Sequence, residues 1–440
     1  EGVEVSNPDL IAQASNSGYI TPYLVNPDDE IKSEDFDPST TFSDYKPVVN
    51  IMPRVQFRFR LKEDALFFAH YDVLTERPKG GARSALQGPA NAVSAYEYFY
   101  LQEMATNAYV PNPNLKPQKT IDYSVGFMQA LKKDVTAITF QAFYREFRDM
   151  LQLTTLTYAY PVTYRSYANI DFGTTKGFSV GFDKRKTSKS NISIQADYTL
   201  QFASGTGSDL NSQVNLVNAD QPNLRTIVPL TFDQRHTLTT QIDYGFEGGS
   251  RYNGPTIKRK LKNTQTTSKN EEAETKYINL LENFSVSTVL RVGSGTPFTK
   301  QVDPTPEAMF GVAKRSNLDG SINGSYSPFT FKIDVQVNKA FPLKVGKKPK
   351  DLIAKDNRKT IFLKTFLRVQ NLLNARNIQT VYSYTGTPDD DGYISSAVGQ
   401  ELVEDQLNPQ SFIDMYMVKV NNPSNYSMPR RIMLGLSMNF

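Results

Sequence analysis

Strict alternation of apolar and polar side chains, repeated in stretches of about ten residues, limits what this chain can fold into more than any other feature. Between 192 and 202, Ile192, Ile194, Ala196, Tyr198, Leu200 and Phe202 share one face of an extended strand, while Ser193, Gln195, Asp197, Thr199 and Gln201 share the other. Val55, Phe57, Phe59 and Leu61 alternate likewise with Arg54, Gln56, Arg58 and Arg60, and a tight turn at Lys62-Glu63-Asp64 leads to a second strand at 67–73. Further runs at 121–127, 136–144, 178–182, 238–244, 284–292, 331–337, 363–369 and 432–440 bring the expected number of strands to eleven.

A strand of this kind fits two architectures. In a soluble sandwich the apolar face meets a second sheet; in a membrane barrel it meets lipid and the polar face meets a wet lumen. The connections separate the two. Those at 76–118, 204–231, 294–328 and 372–427 are long and rich in Gly, Pro, Asn and Tyr, whereas those near 62–64, 130–134 and 186–190 are short. Alternation of long outer loops with short periplasmic turns belongs to outer-membrane barrels and has no counterpart in a sandwich. Two turn-side stretches depart from the rule, 246–283 with Lys258, Arg259, Lys260 and Lys262, and 343–359 with Lys344, Lys347, Lys348, Lys350 and Lys355. Both read as solvated periplasmic extensions.

Composition supports a barrel. The chain has 440 residues, 39% of them hydrophobic, with a mean hydropathy of −0.45, yet 24 Tyr and 27 Phe without a single Trp. Only one face of each barrel strand needs to be apolar, and rings gather at the membrane interfaces, so modest hydropathy and many aromatics coexist. No apolar run reaches the roughly 18 residues of a transmembrane helix. The absence of cysteine removes disulfides, thiolate zinc sites and cysteine nucleophiles. A net charge of +4 gives no case for nucleic acid as a partner. The opening residues Glu1-Gly2-Val3-Glu4 resemble neither a translation start nor a signal peptide, and the expectation is a piece of a longer chain.

By parity, Arg54, Arg58 and Arg60 face the lumen near the periplasmic half of their strand, and Asp197, Asp243 and Asp334 face it from other strands. His70 shares a face with Phe68 and Asp72, whereas His236 has the lipid-side parity of Leu238 near the outer rim; nothing brings them into a Ser/His/Asp set, and no enzyme activity is expected. Tyr96, Tyr98, Phe99 and Tyr100, with Tyr158, Tyr160, Tyr164 and Tyr167, place rings in the long loops, where they could contact a ligand or pack loop on loop. Asp389-Asp390-Asp391-Gly392 could hold calcium in an outer loop, but it lacks the two-residue spacing of an EF-hand loop and reads as a polar turn. Arg430 has lipid-side parity at the outer end of the last strand, suited to lipid phosphates, and Lys339 is placed to snorkel to the inner interface. No cofactor or metal is expected.

The last strand resembles the closing strand of bacterial outer-membrane proteins: Ile432, Leu434, Leu436 and Met438 lead by twos to Phe440, a pattern read by the barrel-assembly machinery. Asn112-Pro113-Asn114-Leu115-Lys116-Pro117-Gln118-Lys119-Thr120, Met52-Pro53-Arg54, Lys176-Gly177-Phe178, Phe232-Asp233-Gln234-Arg235-His236, Ser294-Gly295-Thr296-Pro297-Phe298-Thr299 and Asn371-Leu372-Leu373-Asn374 resemble, in this order, the barrel of the TonB-dependent outer-membrane receptors. The resemblance covers residues 51–440, with 1–50 expected as an extracellular loop or linker segment. It implies a Gram-negative outer-membrane active importer, energised through TonB, of which this chain is the C-terminal half of the β-barrel. It also implies a missing N-terminal half with the plug and the TonB-contacting segment, a barrel of roughly 22 strands, a periplasmic C-terminus and an extracellular residue 1. On that reading the lumen arginines either pair with plug carboxylates or draw anionic cargo inward. Implied partners are the TonB complex, the assembly machinery, lipid and lipopolysaccharide, and a surface lipoprotein capping the mouth. The alternative is a structural barrel subunit of a larger outer-membrane complex.

Overall fold

The computed structural model describes residues 47–78, 115–131, 135–159, 162–219, 221–260, 275–310, 317–346 and 359–439. Eleven long strands follow one another in chain order: β1 (Arg54–Lys62), β2 (Ala65–Glu76), β3 (Gln118–Leu131), β4 (Thr136–Ala159), β5 (Val162–Lys184), β6 (Ile192–Gly205), β7 (His236–Gly245), β8 (Phe284–Gly293), β9 (Thr330–Val345), β10 (Lys359–Gln370) and β11 (Arg431–Asn439). Each pairs antiparallel with its sequence neighbours, so the pairing path runs from β1 to β11 without a crossover. The eleven runs expected from alternation are these eleven strands.

Register propagates the two faces across the whole sheet. Val55 opposes Tyr71, Tyr71 opposes Tyr123 and Tyr123 opposes Tyr144. At the far side Val337 opposes Leu367, which opposes Leu434. Because opposed residues point the same way, one face carries the apolar set and the other the polar set from first strand to last. A one-residue slip anywhere would turn a strand inside out. The apolar face is open to its surroundings: Ile432, Leu434 and Leu436 are 67%, 79% and 70% exposed. A continuous exposed sheet of this kind is incompatible with water and suited to acyl chains, and strands of nine to twelve residues such as β1, β2 and β11 have the length to cross them.

Buried apolar clusters lie at the loop end rather than in the wall. Leu115, Leu151, Leu153, Tyr167 and Val217 form one, and Tyr382, Tyr393, Tyr416 and Val420 another. Around them the long connections fold into α1 (Val214–Asn218), α2 (Glu307–Phe310), α3 (Ala397–Glu404) and α4 (Pro409–Val420). Ser396 caps α3 by accepting from the Gly399 amide; Asn408 caps α4 by accepting from the Ser411 amide, and Pro409 presets its first turn. Among the described residues no helix is long and apolar enough to cross a membrane.

Two strands outrun expectation furthest. Alternation predicted 136–144 and 178–182, but β4 and β5 continue for 24 and 23 residues to a shared tip. Beyond irregular pairing near Phe147 and Met150, Leu151, Gln152 and Leu153 are all buried. The hairpin there is covered on both faces by the 206–224 connection, so its sequence no longer alternates.

Candidate functional site

The polar face is built from cross-strand charge pairs. Arg54 donates from Nε to Asp72 Oδ2 at 2.9 Å, and His70 Nε2 stands 3.9 Å from the same oxygen. Arg145 grips Asp122 through Nε at 2.9 Å and Nη2 at 2.5 Å. Asp334 receives Arg291 Nη1 at 3.0 Å and Lys332 Nζ at 3.3 Å on Oδ2, and the Asn371 amide on Oδ1 at 2.8 Å. Charges of this density on one face need water or polypeptide opposite them.

Of the expected lumen residues, all six lie on this face, but they are not equivalent. Arg54 opens its strand, at the end away from the Lys62–Ala65 turn, which corrects the expectation of a periplasmic-half position. It is also engaged by Asp72 within the wall. Arg60 folds back onto the turn, donating to the carbonyls of Lys62 and Glu63. Arg58 has no ion pair among the described residues. Asp334 is neutralised by its two cations, Asp243 accepts from Gln241 Nε2 at 2.9 Å, and Asp197 has no ion pair among the described residues.

Three phenylalanines also stand on the polar face, each opposite a glycine: Phe68 over Gly126, Phe143 over Gly177 and Phe366 over Gly435. At Gly126 and Gly435 a Cβ would fall 2.2 Å from the ring atoms; at Gly177 it would lie 2.1 Å from the Leu200 carbonyl oxygen. The rings cover backbone that glycine leaves bare.

At the loop end the sequence motifs clasp one another. Gln234 donates to the Ser294 carbonyl at 2.7 Å, and the His236 amide to Ser294 Oγ at 3.0 Å. Buried Asp233 accepts from the Ala203 amide at 2.7 Å and from Tyr326 Oη at 2.8 Å, while the Arg235 guanidinium lies 4.6 Å from the Tyr326 ring centre. Burial first, then the Asp233 carboxylate, raises the Tyr326 phenol above its usual range. Asn371, at φ 52, turns the chain after β10, and its side chain holds the Ala375 amide and the Ala375 and Met428 carbonyls. These segments brace the rim rather than carry chemistry.

Other expectations resolve unevenly. His236 accepts or donates at Nδ1 with Tyr198 Oη at 2.9 Å and stacks between Tyr198 and Phe329, far across the sheet from His70. Lys339 reaches the Leu280 and Glu282 carbonyls at the turn end, as snorkelling requires. The Arg430 amide donates to Asn374 Oδ1 at 3.0 Å. Tyr158 lies within β4, not in an irregular loop. Tyr96, Tyr98, Phe99, Tyr100, Tyr160 and Phe440 lie outside the described residues. Tyr167 is a packing residue, buried and donating to Asn211 Oδ1 at 3.2 Å. Within the acidic run, Asp391 is no solvated turn residue: it is 2% exposed and accepts from Tyr416 Oη, the Ala308 amide and the Tyr393 amide. Sequence reasoning missed this loop core; the caps at Ser396 and Asn408-Pro409 were its legible trace.

An antiparallel meander with one lipid-suited face, one charged face and folded long loops at one end is the wall of an outer-membrane β-barrel. The description "TonB dependent receptor-like, beta-barrel" matches residues 28–288. The chain therefore belongs to the TonB-dependent receptor family, whose members are outer-membrane transporters rather than enzymes. No curated protein matches the chain. Similar solved structures include the pyoverdine outer-membrane receptor FpvA from Pseudomonas aeruginosa PAO1 bound to pyoverdine (12% identity over 88% of this chain and 36% of that one, TM-score 0.42). The FrpB iron transporter from Neisseria meningitidis (12%, 74% and 35%, 0.39) and the ferric-catecholate import receptor Fiu from K12 E. coli (12%, 77% and 34%, 0.38) are further examples. The chain spans about a third of the length of the structures it matches.

Proposed function

We propose that this chain is the C-terminal barrel portion of an outer-membrane active importer of a nutrient ligand, energised through TonB. The observation that supports this most is the partition of the sheet into an apolar face and a face of cross-strand charges, because such a wall serves only if its polar side encloses something wet or folded. In this reading the N-terminal half supplies the plug and the TonB contact. Arg54, Arg58, Arg60, Asp197, Asp243 and Asp334 face that plug, and residues 1–50 begin on the extracellular side. Ile432, Leu434, Leu436, Met438 and Phe440 serve as the assembly signal. The folded loop end forms the mouth that meets ligand or a surface lipoprotein.

The test compares cells lacking this protein with cells lacking TonB, following depletion of a defined nutrient mixture from the medium. The reading expects the protein's deletion to leave in the medium a subset of the compounds that TonB deletion leaves. Unchanged depletion, with other outer-membrane proteins lost from the fraction, would contradict import and favour a structural subunit.

A further inference from the structure

A depression of about 400 Å³ interrupts the apolar face of the wall, lined by Phe67, Val125, Phe127, Phe140, Ala142 and Phe178. Phe67, Phe127 and Phe140 oppose one another across β2, β3 and β4 and form its lower edge. Its floor is Ala142, which offers a methyl group where Phe140 and Tyr144, its same-face neighbours along β4, offer rings. Across the register Ala142 stands between Val125 on β3 and Phe178 on β5. Every strand involved is paired on both sides, so the hollow is complete within this chain.

The opposite edge of the hollow is polar. Tyr144 opposes Lys176, which lies two residues from Phe178 on the same face. From Thr136 at the turn end to Tyr144 is about the 9–11 residues that a tilted strand needs to cross hydrocarbon, which puts this pair at the interface on the long-loop side. Tyr71, Tyr123 and Tyr144 share that row of the register, with ring centres 5.2 and 6.2 Å apart. Lys176 is exposed, and its ammonium has no ion pair or hydrogen bond among the described residues. The next cations out on this face are already matched: Arg148 donates from Nε to Glu146 Oε2 at 2.8 Å, and Lys119 Nζ stands 4.0 Å from Asp149 Oδ2. An unmatched cation above an apolar hollow suits an anionic headgroup with an acyl chain beneath it. A second copy of the chain laid on this face would bury Lys176 without a counter-charge, which is costly. A neutral lipid would leave it unmatched.

We propose that Lys176 and the hollow over Ala142 form a site for one phosphorylated glycolipid of the outer leaflet: a phosphate meets the Lys176 ammonium and the Tyr144 hydroxyl, and an acyl chain fills the hollow. Long loops face outward in such barrels, which selects outer-leaflet glycolipid over phospholipid. The site is independent of import and rests on the apolar face touching lipid. The test uses the full-length protein purified from outer membranes and delipidated by detergent exchange. Native mass spectrometry follows its titration with diphosphoryl lipid A, with lipid A stripped of both phosphates, and with phosphatidylglycerol. Diphosphoryl lipid A is expected to bind about tenfold more weakly to Lys176→Gln and to Ala142→Phe, and Lys176→Arg should restore it. Dephosphorylated lipid A should bind Lys176→Gln and the unaltered protein alike. Ala196→Phe, on the apolar face of β6 outside the hollow, should change nothing. Lys176 and Ala142 are both exposed, so unchanged heat-modified gel mobility separates lost binding from lost folding. Undiminished lipid A binding by Lys176→Gln or Ala142→Phe, phosphatidylglycerol as the equal or stronger ligand, or a dimer abolished by Ala142→Phe would overturn the proposal. Lipid and water access that alternates along β9 without any lipid A binding would leave the barrel standing and remove only this site.

Discussion

The hydroxyl of Tyr416 donates to Oδ2 of Asp391 over 2.5 Å, with both side chains almost fully buried. Through this bond helix α4 is fastened to the turn that carries Gly392 and, by way of the Ala308 amide, to helix α2. Burial first, and then the bond to Asp391, pushes the Tyr416 phenol far above its usual range, so it remains a donor at any physiological pH. Tyr416→Phe leaves Asp391 with backbone donors alone and is expected to destabilise the loop cap by about 1–3 kcal/mol. Hydrogen exchange across residues 409–420 should speed up while the β-strands keep their protection. Exposed Met415→Gln on the same helix should change neither.

Glu307 sets the pH response of this cap. Burial raises its carboxyl above the ordinary 4.5, helped by the neighbouring Asp391 charge and opposed by the Ser383 amide and hydroxyl. A folded-state value above the unfolded one means the stabilisation is complete below the ordinary value and is lost as pH rises through the raised one. The cap should therefore be tighter at mildly acid pH than at neutrality. Glu307→Gln should flatten that dependence and stabilise the cap near neutral pH, as read by exchange of residues 383–393 across pH.

The covered glycines make a packing prediction. Gly435→Ala drives a methyl into the Phe366 ring and is expected to cost about 1–3 kcal/mol. Ser437→Ala, two residues on and opposite Lys364, should cost little. Heat-modified mobility of the folded barrel on gels distinguishes them, with a lower transition temperature for the glycine variant alone.

The two faces should respond oppositely to charge. Ile242→Arg on the apolar face of β7 is expected to destabilise by about 2–4 kcal/mol, whereas Gln241→Arg, one residue away on the polar face, should be near neutral. Equilibrium unfolding in lipid vesicles measures both.

Much of this was legible because lipid imposes one rule on the wall. Each of the eleven strands must offer alternate residues to acyl chains, so Ile192 to Phe202 and its counterparts announce themselves by period two alone. The rule lapses where the environment changes. Leu151, Gln152 and Leu153 are buried on both faces, and the extended hairpin was invisible there. The loop core around Asp391 and Tyr416 depends on contacts between residues 25 apart, which no local pattern encodes. Parity alone put Arg54, Asp197, Asp243 and Asp334 on one shared face, but it could not foresee that Asp72 engages Arg54 or that Arg291 and Lys332 converge on Asp334.

The natural absence of cysteine allows the central claim to be tested directly. Single cysteines at 333–338 along β9, each carrying a nitroxide, can be examined in vesicles for collision with oxygen, which concentrates in lipid, and with a water-soluble nickel chelate. Labels at Ile333, Val335 and Val337 should favour oxygen, and labels at Asp334, Gln336 and Asn338 the nickel chelate, in strict alternation. Equal access at all six, or nickel access at Val335, would mean that the apolar face does not touch lipid.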